Sequence, residues 1–235
     1  MSDSVVLVTG GAGALGQAVV QAFLERGARV AVPFYKTDVP TALDSLPAER
    51  RERIHSFALD LTTERGAEQA IRQTVEWAGR LDVVAHLVGG YSGGALLGKT
   101  SVESWDRMME LNLKSAWLIS RFAIPRMLEG GGGSLVFVSS RAARQDRGGH
   151  AAYSIAKAGL LVLAEAIAEE YRDQGIRANA VLPGTIDTEA NRRAMSGADH
   201  GQWTSPAAIA RVIAFLASPE AEAVNGAAVP VYGRS

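Results

Sequence analysis

Val5-Val-Leu-Val-Thr9-Gly-Gly-Ala-Gly-Ala-Leu-Gly16 is the stretch whose reading decides the fold. Its first five residues are apolar or β-branched, the pattern of a parallel strand buried on both faces. The remainder is a loop punctuated by Gly10, Gly13 and Gly16. Beyond it, residues 14–26 place Leu15, Val19, Ala22 and Phe23 on one helical stripe, and residues 29–34, Arg-Val-Ala-Val-Pro-Phe, read as a second strand. Strand, glycine loop, helix and strand make a βαβ unit. In that setting the glycines let backbone amides approach a pyrophosphate at the helix N-terminus. A glycine triplet alone carries little weight; one that follows a strand and opens a helix has its confirming context.

Working outward, the same alternation continues along the whole chain. Strands are expected near 4–9, 28–34, 54–58, 82–88, 134–139, 176–182 and 226–232. Helices are expected near 14–26, 63–78, 101–128, 151–173 and 206–217. Thr100-x-x-Glu103 reads as a capping box, and Ser205-Pro206 as the N-cap and first residue of another helix. The expected architecture is a single α/β domain over residues 1–235, a doubly wound parallel seven-stranded sheet with helices on both faces.

Tyr153 and Lys157 stand four residues apart, and Ser140 lies thirteen residues before the tyrosine. On a helix, positions i and i+4 share a face, which brings the Lys157 ammonium toward the Tyr153 phenol. A free phenol titrates near about 10. A neighbouring positive charge favours the phenolate and lowers that value. A phenol so tuned can give a proton to a carbonyl oxygen or take one from an alcohol. Ser140 closes the apolar run 134–140, and its hydroxyl can hydrogen-bond the same oxygen. A Tyr-x-x-x-Lys pair is often only a surface pair on a helix. With just four lysines in the chain, at 36, 99, 114 and 157, a chance match is rarer here.

Together these motifs resemble the short-chain dehydrogenase/reductase family, along essentially the whole sequence. The resemblance implies a Rossmann-type fold, a nicotinamide cofactor and a catalytic tetrad of Asn112, Ser140, Tyr153 and Lys157. Asn112 stands in Leu111-Asn-Leu-Lys-Ser-Ala-Trp, where the family carries an asparagine that organises a proton-relay water. Asp60, followed by Leu61, matches the position that holds the adenine ring. Pro183-Gly184-Thr185-Ile186-Asp187-Thr188 matches the segment that contacts the nicotinamide end. The implied cofactor set also takes in Gly10, Gly13, Ala14, Leu15 and Gly16, Tyr35 and Lys36, Gly89, and Tyr153 and Lys157 themselves. Asn225-Gly226 matches the turn into the last strand.

Some positions depart from the family pattern. Ala14 replaces a glycine and is expected to put a methyl near the phosphates. His86-Leu-Val-Gly89 replaces the usual Asn-Asn-Ala-Gly, and His86 is read as a strand-end histidine without a catalytic role, though able to bond the neighbouring strand. An NAD enzyme places an acid at the end of the second strand to bind the ribose hydroxyls. Phe34 holds that place, with Tyr35 and the cation Lys36 behind it, so NADP is favoured over NAD; Asp38 is the carboxylate that would reverse this.

Composition narrows the function. A net charge of −1 argues against nucleic acid or an anionic membrane as partner. With no cysteine, thiol catalysis and Cys-based zinc sites are excluded. No apolar stretch is expected to reach spanning length, and a first strand at Val5 leaves no room for a signal peptide, so the chain is expected in the cytoplasm. Residues 111–128 and 151–168 are apolar or small nearly all round, which points to a second buried face and a homotetramer or homodimer. Arg141, Arg144 and Arg147 are read as a solvated loop that can alternatively meet an anionic substrate. Local similarity to the quinonoid dihydropteridine reductases, in Gly89-Gly-Tyr-Ser-Gly-Gly among others, keeps a pteridine-type reductase as an alternative. The main expectation is hydride transfer between NAD(P) and a small-molecule carbonyl or secondary alcohol. A nucleotide-sensing regulator has no need of the proton-transfer set, and an isomerase of this fold would need a longer chain.

Overall fold

The computed structural model describes residues 1, 3–35 and 46–234. Seven parallel strands form one sheet: β1 (Val5–Thr9), β2 (Arg29–Phe34), β3 (Ile54–Ala58), β4 (Val83–His86), β5 (Gly133–Val138), β6 (Ile176–Pro183) and β7 (Ala228–Val231). Their order is β3-β2-β1-β4-β5-β6-β7. All five residues of β1 and all four of β4 are buried, as the unbroken apolar reading requires.

Helices cover both faces. On one side lie α1 (Ala14–Glu25) and α8 (Pro206–Leu216), which pack Val19, Phe23, Ile209 and Ile213 onto Val6, Val8 and Val136. On the other lie α3 (Glu64–Ala78), α5 (Ser115–Glu129) and α6 (Ala151–Glu170), which pack Ile71, Met127, Leu160 and Ile167 onto Leu7, Val84 and Leu135. Period-2 alternation along each strand divides its side chains between these two cores. Phe23 is fully buried, and its truncation to alanine would cost about 3–5 kcal/mol. Two short helices, α2 (Ala48–Arg51) and α7 (Glu189–Ala194), escape the periodicity reading because neither has a buried residue. The remaining helix is α4 (Val102–Met109).

Three expectations are corrected. The helix over 101–128 is broken by a π-turn, Glu110–Lys114, between α4 and α5. The cap of α4 is Ser101, whose Oγ accepts from Ser104 N at 3.1 Å, rather than Thr100. The 20-residue α6 is by length and composition apolar enough to cross a membrane. In this fold it packs against β5 and β6. The Ser205 cap is as expected, accepting from Ala208 N at 3.3 Å with Pro206 in the first turn.

Candidate active site

The strand order reverses between β1 and β4. In open α/β sheets the crevice at such a switch point, beyond the carboxyl ends of the strands, takes the ligand. The glycine loop stands on one side of it. Gly10 sits at φ +69°, and a Cβ there would lie 3.1 Å from Leu87 C. A Cβ on Gly16 would lie 2.5 Å from Gly11 Cα, so the loop folds back onto the first turn of α1 at a distance only glycine allows. Gly11 is nearly as tight, 2.6 Å from Val32 Cγ1 for the same construction, whereas Gly13 has room. Sequence spacing singled out Gly13 and passed over Gly11. Ala14, the first residue of α1, is exposed. Leu15 packs against the core. No side chain caps α1, which leaves its first backbone N–H groups available to an anion. These features fit the diphosphate of a dinucleotide.

After β3, Asp60 Oδ1 accepts from Thr62 N at 3.0 Å and Thr62 Oγ1 at 2.7 Å, which fixes the carboxylate, while Leu61 is buried. Beyond β6, Gly184 N donates to Val231 O at 3.4 Å, and Ile186 bridges Thr204. Thr188 caps α7, accepting from Asn191 N at 3.2 Å. Tyr35 lies just past the end of β2; Lys36 and Asp38 fall outside the described residues.

Two of the tetrad positions, Asn112 and Lys157, meet at Gly89, and Ser140 and Tyr153 lie beside Lys157. Asn112, fully buried in the π-turn, accepts from Gly90 N at 3.1 Å and donates through Nδ2 to Gly90 O at 3.0 Å and Met108 O at 3.1 Å. A Cβ on Gly89 would lie 2.7 Å from Asn112 Oδ1 and 2.9 Å from Lys157 Nζ. Lys157 Nζ donates to Val138 O at 2.9 Å and sits 5.9 Å from the centre of the Tyr153 ring. Burial lowers the Lys157 pKa to about 8. Ser140, two residues beyond β5, faces Tyr153, and its hydroxyl favours the phenolate.

One electrostatic expectation is corrected. The Tyr153 phenol is raised, not lowered, from its ordinary value. Burial disfavours the phenolate most, the Ser140 hydroxyl offsets part of this, and nearby Tyr91 adds to the rise. Taking the phenol out of water is the largest influence on it, and the tyrosine rests as a proton donor.

His86 is fully buried and does bond the neighbouring strand. Its Nδ1 is 3.0 Å from Thr9 Oγ1 on β1, and its Nε2 is 3.2 Å from Ser115 Oγ at the start of α5. Burial, followed by the charge of Lys157, lowers its pKa to about 3. Next to Tyr153 lie two rings the sequence reading gave no role, Tyr91 and His150. Of the three loop arginines, Arg141 pairs with Asp146 at 3.2 Å and Arg147 donates to Ala143 O at 2.9 Å, so both brace their own loop.

Comparison with known proteins agrees with this geometry. The family model for enoyl-(acyl carrier protein) reductase matches residues 10–233. The 3-oxoacyl-[acyl-carrier-protein] reductase of Thermotoga maritima is 30% identical over 99% of this chain and 98% of its own length. The D-threitol dehydrogenase of Mycolicibacterium smegmatis is 29% identical over 99% and 93%. A short-chain type dehydrogenase/reductase from Mycobacterium ulcerans superposes with a TM-score of 0.93 at 27% identity, covering 100% of this chain and 90% of that one. The fold, the glycine cradle at the switch point and these full-length likenesses lead to one assignment: the chain belongs to the short-chain dehydrogenase/reductase family.

Proposed function

We propose that Tyr153 is the general acid/base of this chain's hydride transfer between a nicotinamide and a carbonyl or secondary alcohol. The reaction class comes with the family. The observation that carries the tyrosine assignment is the grouping of Ser140 and Tyr153 beside Lys157, which with Asn112 is buried against Gly89. A bound reduced nicotinamide supplies the hydride that the carbonyl carbon receives. Tyr153 Oη gives its proton to the carbonyl oxygen, so that an alcohol results. Ser140 Oγ, beside the phenol, donates to the same developing oxyanion. Lys157 supplies the positive charge that stabilises the phenolate left behind. Asn112, locked by three hydrogen bonds to backbone groups, fixes the floor beneath them.

Tyr153→Phe is expected to reduce turnover at least about a hundredfold, the scale of a lost general acid. Cofactor binding should survive. Near-normal turnover of a carbonyl substrate by this variant would overturn the assignment.

In this reading NADP is the preferred cofactor, because β2 ends in Phe34 and Tyr35 without a carboxylate. The protein is a cytoplasmic homotetramer or homodimer built on α4–α5 and α6. Support for that assembly comes from Trp105, Trp117, Ile155 and Val162, large apolar side chains exposed on those helices. Fluorescence titration with NADPH and NADH checks the cofactor; tighter binding of NADH would overturn that preference.

A further inference from the structure

We infer that the Tyr91 hydroxyl reads a second substrate oxygen, on the carbon next to the reacting one, making the chain selective for hydroxyketones, diketones and vicinal diols over simple ketones. The inference rests on Tyr153 being the acid/base.

Tyr91 stands two residues beyond Gly89. Its ring meets that of Tyr153 edge-on, with centroids 5.2 Å apart at 76°. His150 closes the group, 5.9 Å from Tyr91 and 6.3 Å from Tyr153. The two phenols are close enough that a charge on one disfavours a charge on the other. An oxygen bound by Tyr153 and Ser140 therefore has a second phenol beside it.

The Tyr91 hydroxyl has no hydrogen-bond partner among the described residues, and the side chain is 67% exposed. It is nevertheless positioned. Gly94 N donates to Gly149 O at 2.8 Å, which ties the Tyr91 loop to the segment before α6. A Cβ on Gly93 would lie 2.7 Å from Tyr91 Cζ and 3.2 Å from His150 Cβ, so the phenol end rests directly over Gly93. A neutral donor beside the catalytic tyrosine, with the loop arginines Arg141 and Arg147 turned to their own segment, matches a neutral oxygen rather than an anionic group. A site built to hydrogen-bond a substrate hydroxyl discriminates against the analogue lacking it.

The test compares acetoin with 2-butanone, the same skeleton with and without the neighbouring hydroxyl, as substrates of the full chain with NADPH. Tyr91→Phe keeps the ring and removes the donor. It should lower kcat/KM for acetoin about five- to tenfold, mostly through KM, and leave 2-butanone within about twofold. Gly93→Ala keeps the tyrosine but displaces its hydroxyl, and should show the same selective loss. Equal loss on both ketones, or no loss on either, would overturn the inference while leaving the Tyr153 assignment intact. An unmodified chain that prefers 2-butanone overturns it as well. Tyr153→Phe should abolish both reactions, so failure of the underlying reading is seen separately.

Discussion

Proton positions at His86 follow from counting donors. Ser115 Oγ gives its only proton to Leu111 O at 2.7 Å, so toward His86 Nε2 it can only accept. Nε2 therefore carries the imidazole proton, and Nδ1 accepts from Thr9 Oγ1, which itself accepts from Leu87 N at 3.1 Å. A neutral imidazole thus ties the end of β1 to the start of α5, just after the π-turn that holds Asn112. Burial and the charge of Lys157 lower the His86 pKa to about 3, and an imidazolium would have no acceptor left for its second proton. The sign for stability follows. The unfolded chain takes up this proton near about 6.5, while the folded chain refuses it until about 3. Above the unfolded value the group makes no difference; as pH falls below it, stability is lost at up to about 1.4 kcal/mol per unit. His86→Gln, which cannot charge, should show a shallower decline in urea midpoint between pH 6.5 and 4 than the unmodified chain. Parallel declines would mean that His86 is not held neutral.

At the scale of elements, the glycine loop and the π-turn carry the site. In the loop, close approach decides which residues matter. Gly16→Ala would drive a methyl into backbone of Gly10 and Gly11 that has no side chain to yield. It should destabilise by about 1–3 kcal/mol or more and abolish cofactor binding. Ala14→Gly acts at an exposed helix position, so it should cost no more than about 1 kcal/mol and leave cofactor affinity nearly unchanged. Thermal melts and NADPH titrations of the two variants separate these outcomes; a benign Gly16→Ala would show that the loop is not pinned. In the π-turn, one extra residue between α4 and α5 breaks the regular ladder, and the Asn112 amide bonds Gly90 rather than solvent.

At the scale of the whole molecule, α6 serves two purposes. One face carries Tyr153 and Lys157 and packs on the sheet; another leaves Ile155 45% and Val162 64% exposed. Trp117 on α5 is 48% exposed. Apolar groups of this size on two neighbouring helices are what an interface between copies would cover. Val162→Glu combined with Trp117→Glu should shift the proteins in light scattering to the monomer mass, with the fold retained by circular dichroism. A monomeric unmodified chain at micromolar concentration would refute the assembly. Because the proposed catalytic pair, Tyr153 and Lys157, lies on the same helix, the dissociated variant should also lose turnover.

Much of this protein was legible in its sequence because it depends on local spacing. The strand run at Val5–Thr9 declares itself through four consecutive apolar residues before Thr9, and the glycine loop through its place between strand and helix. Ser140, Tyr153 and Lys157 were visible because helix periodicity and strand–helix order place them in register. Tertiary structure decided what depends on neighbours distant in the chain. The helix break at Glu110–Lys114 has little composition signal, since four of its five residues are good helix formers, and the contact of Asn112 with Gly90 accompanies it. The Tyr153 phenol rises rather than falls because the surrounding fold buries it and brings Tyr91 beside it. His86 is a bridging residue only because β1 and α5 bring Thr9 and Ser115 to opposite sides of its ring. Periodicity fixes which face a side chain takes; solvation and partners, which set its chemistry, exist only once the chain has folded.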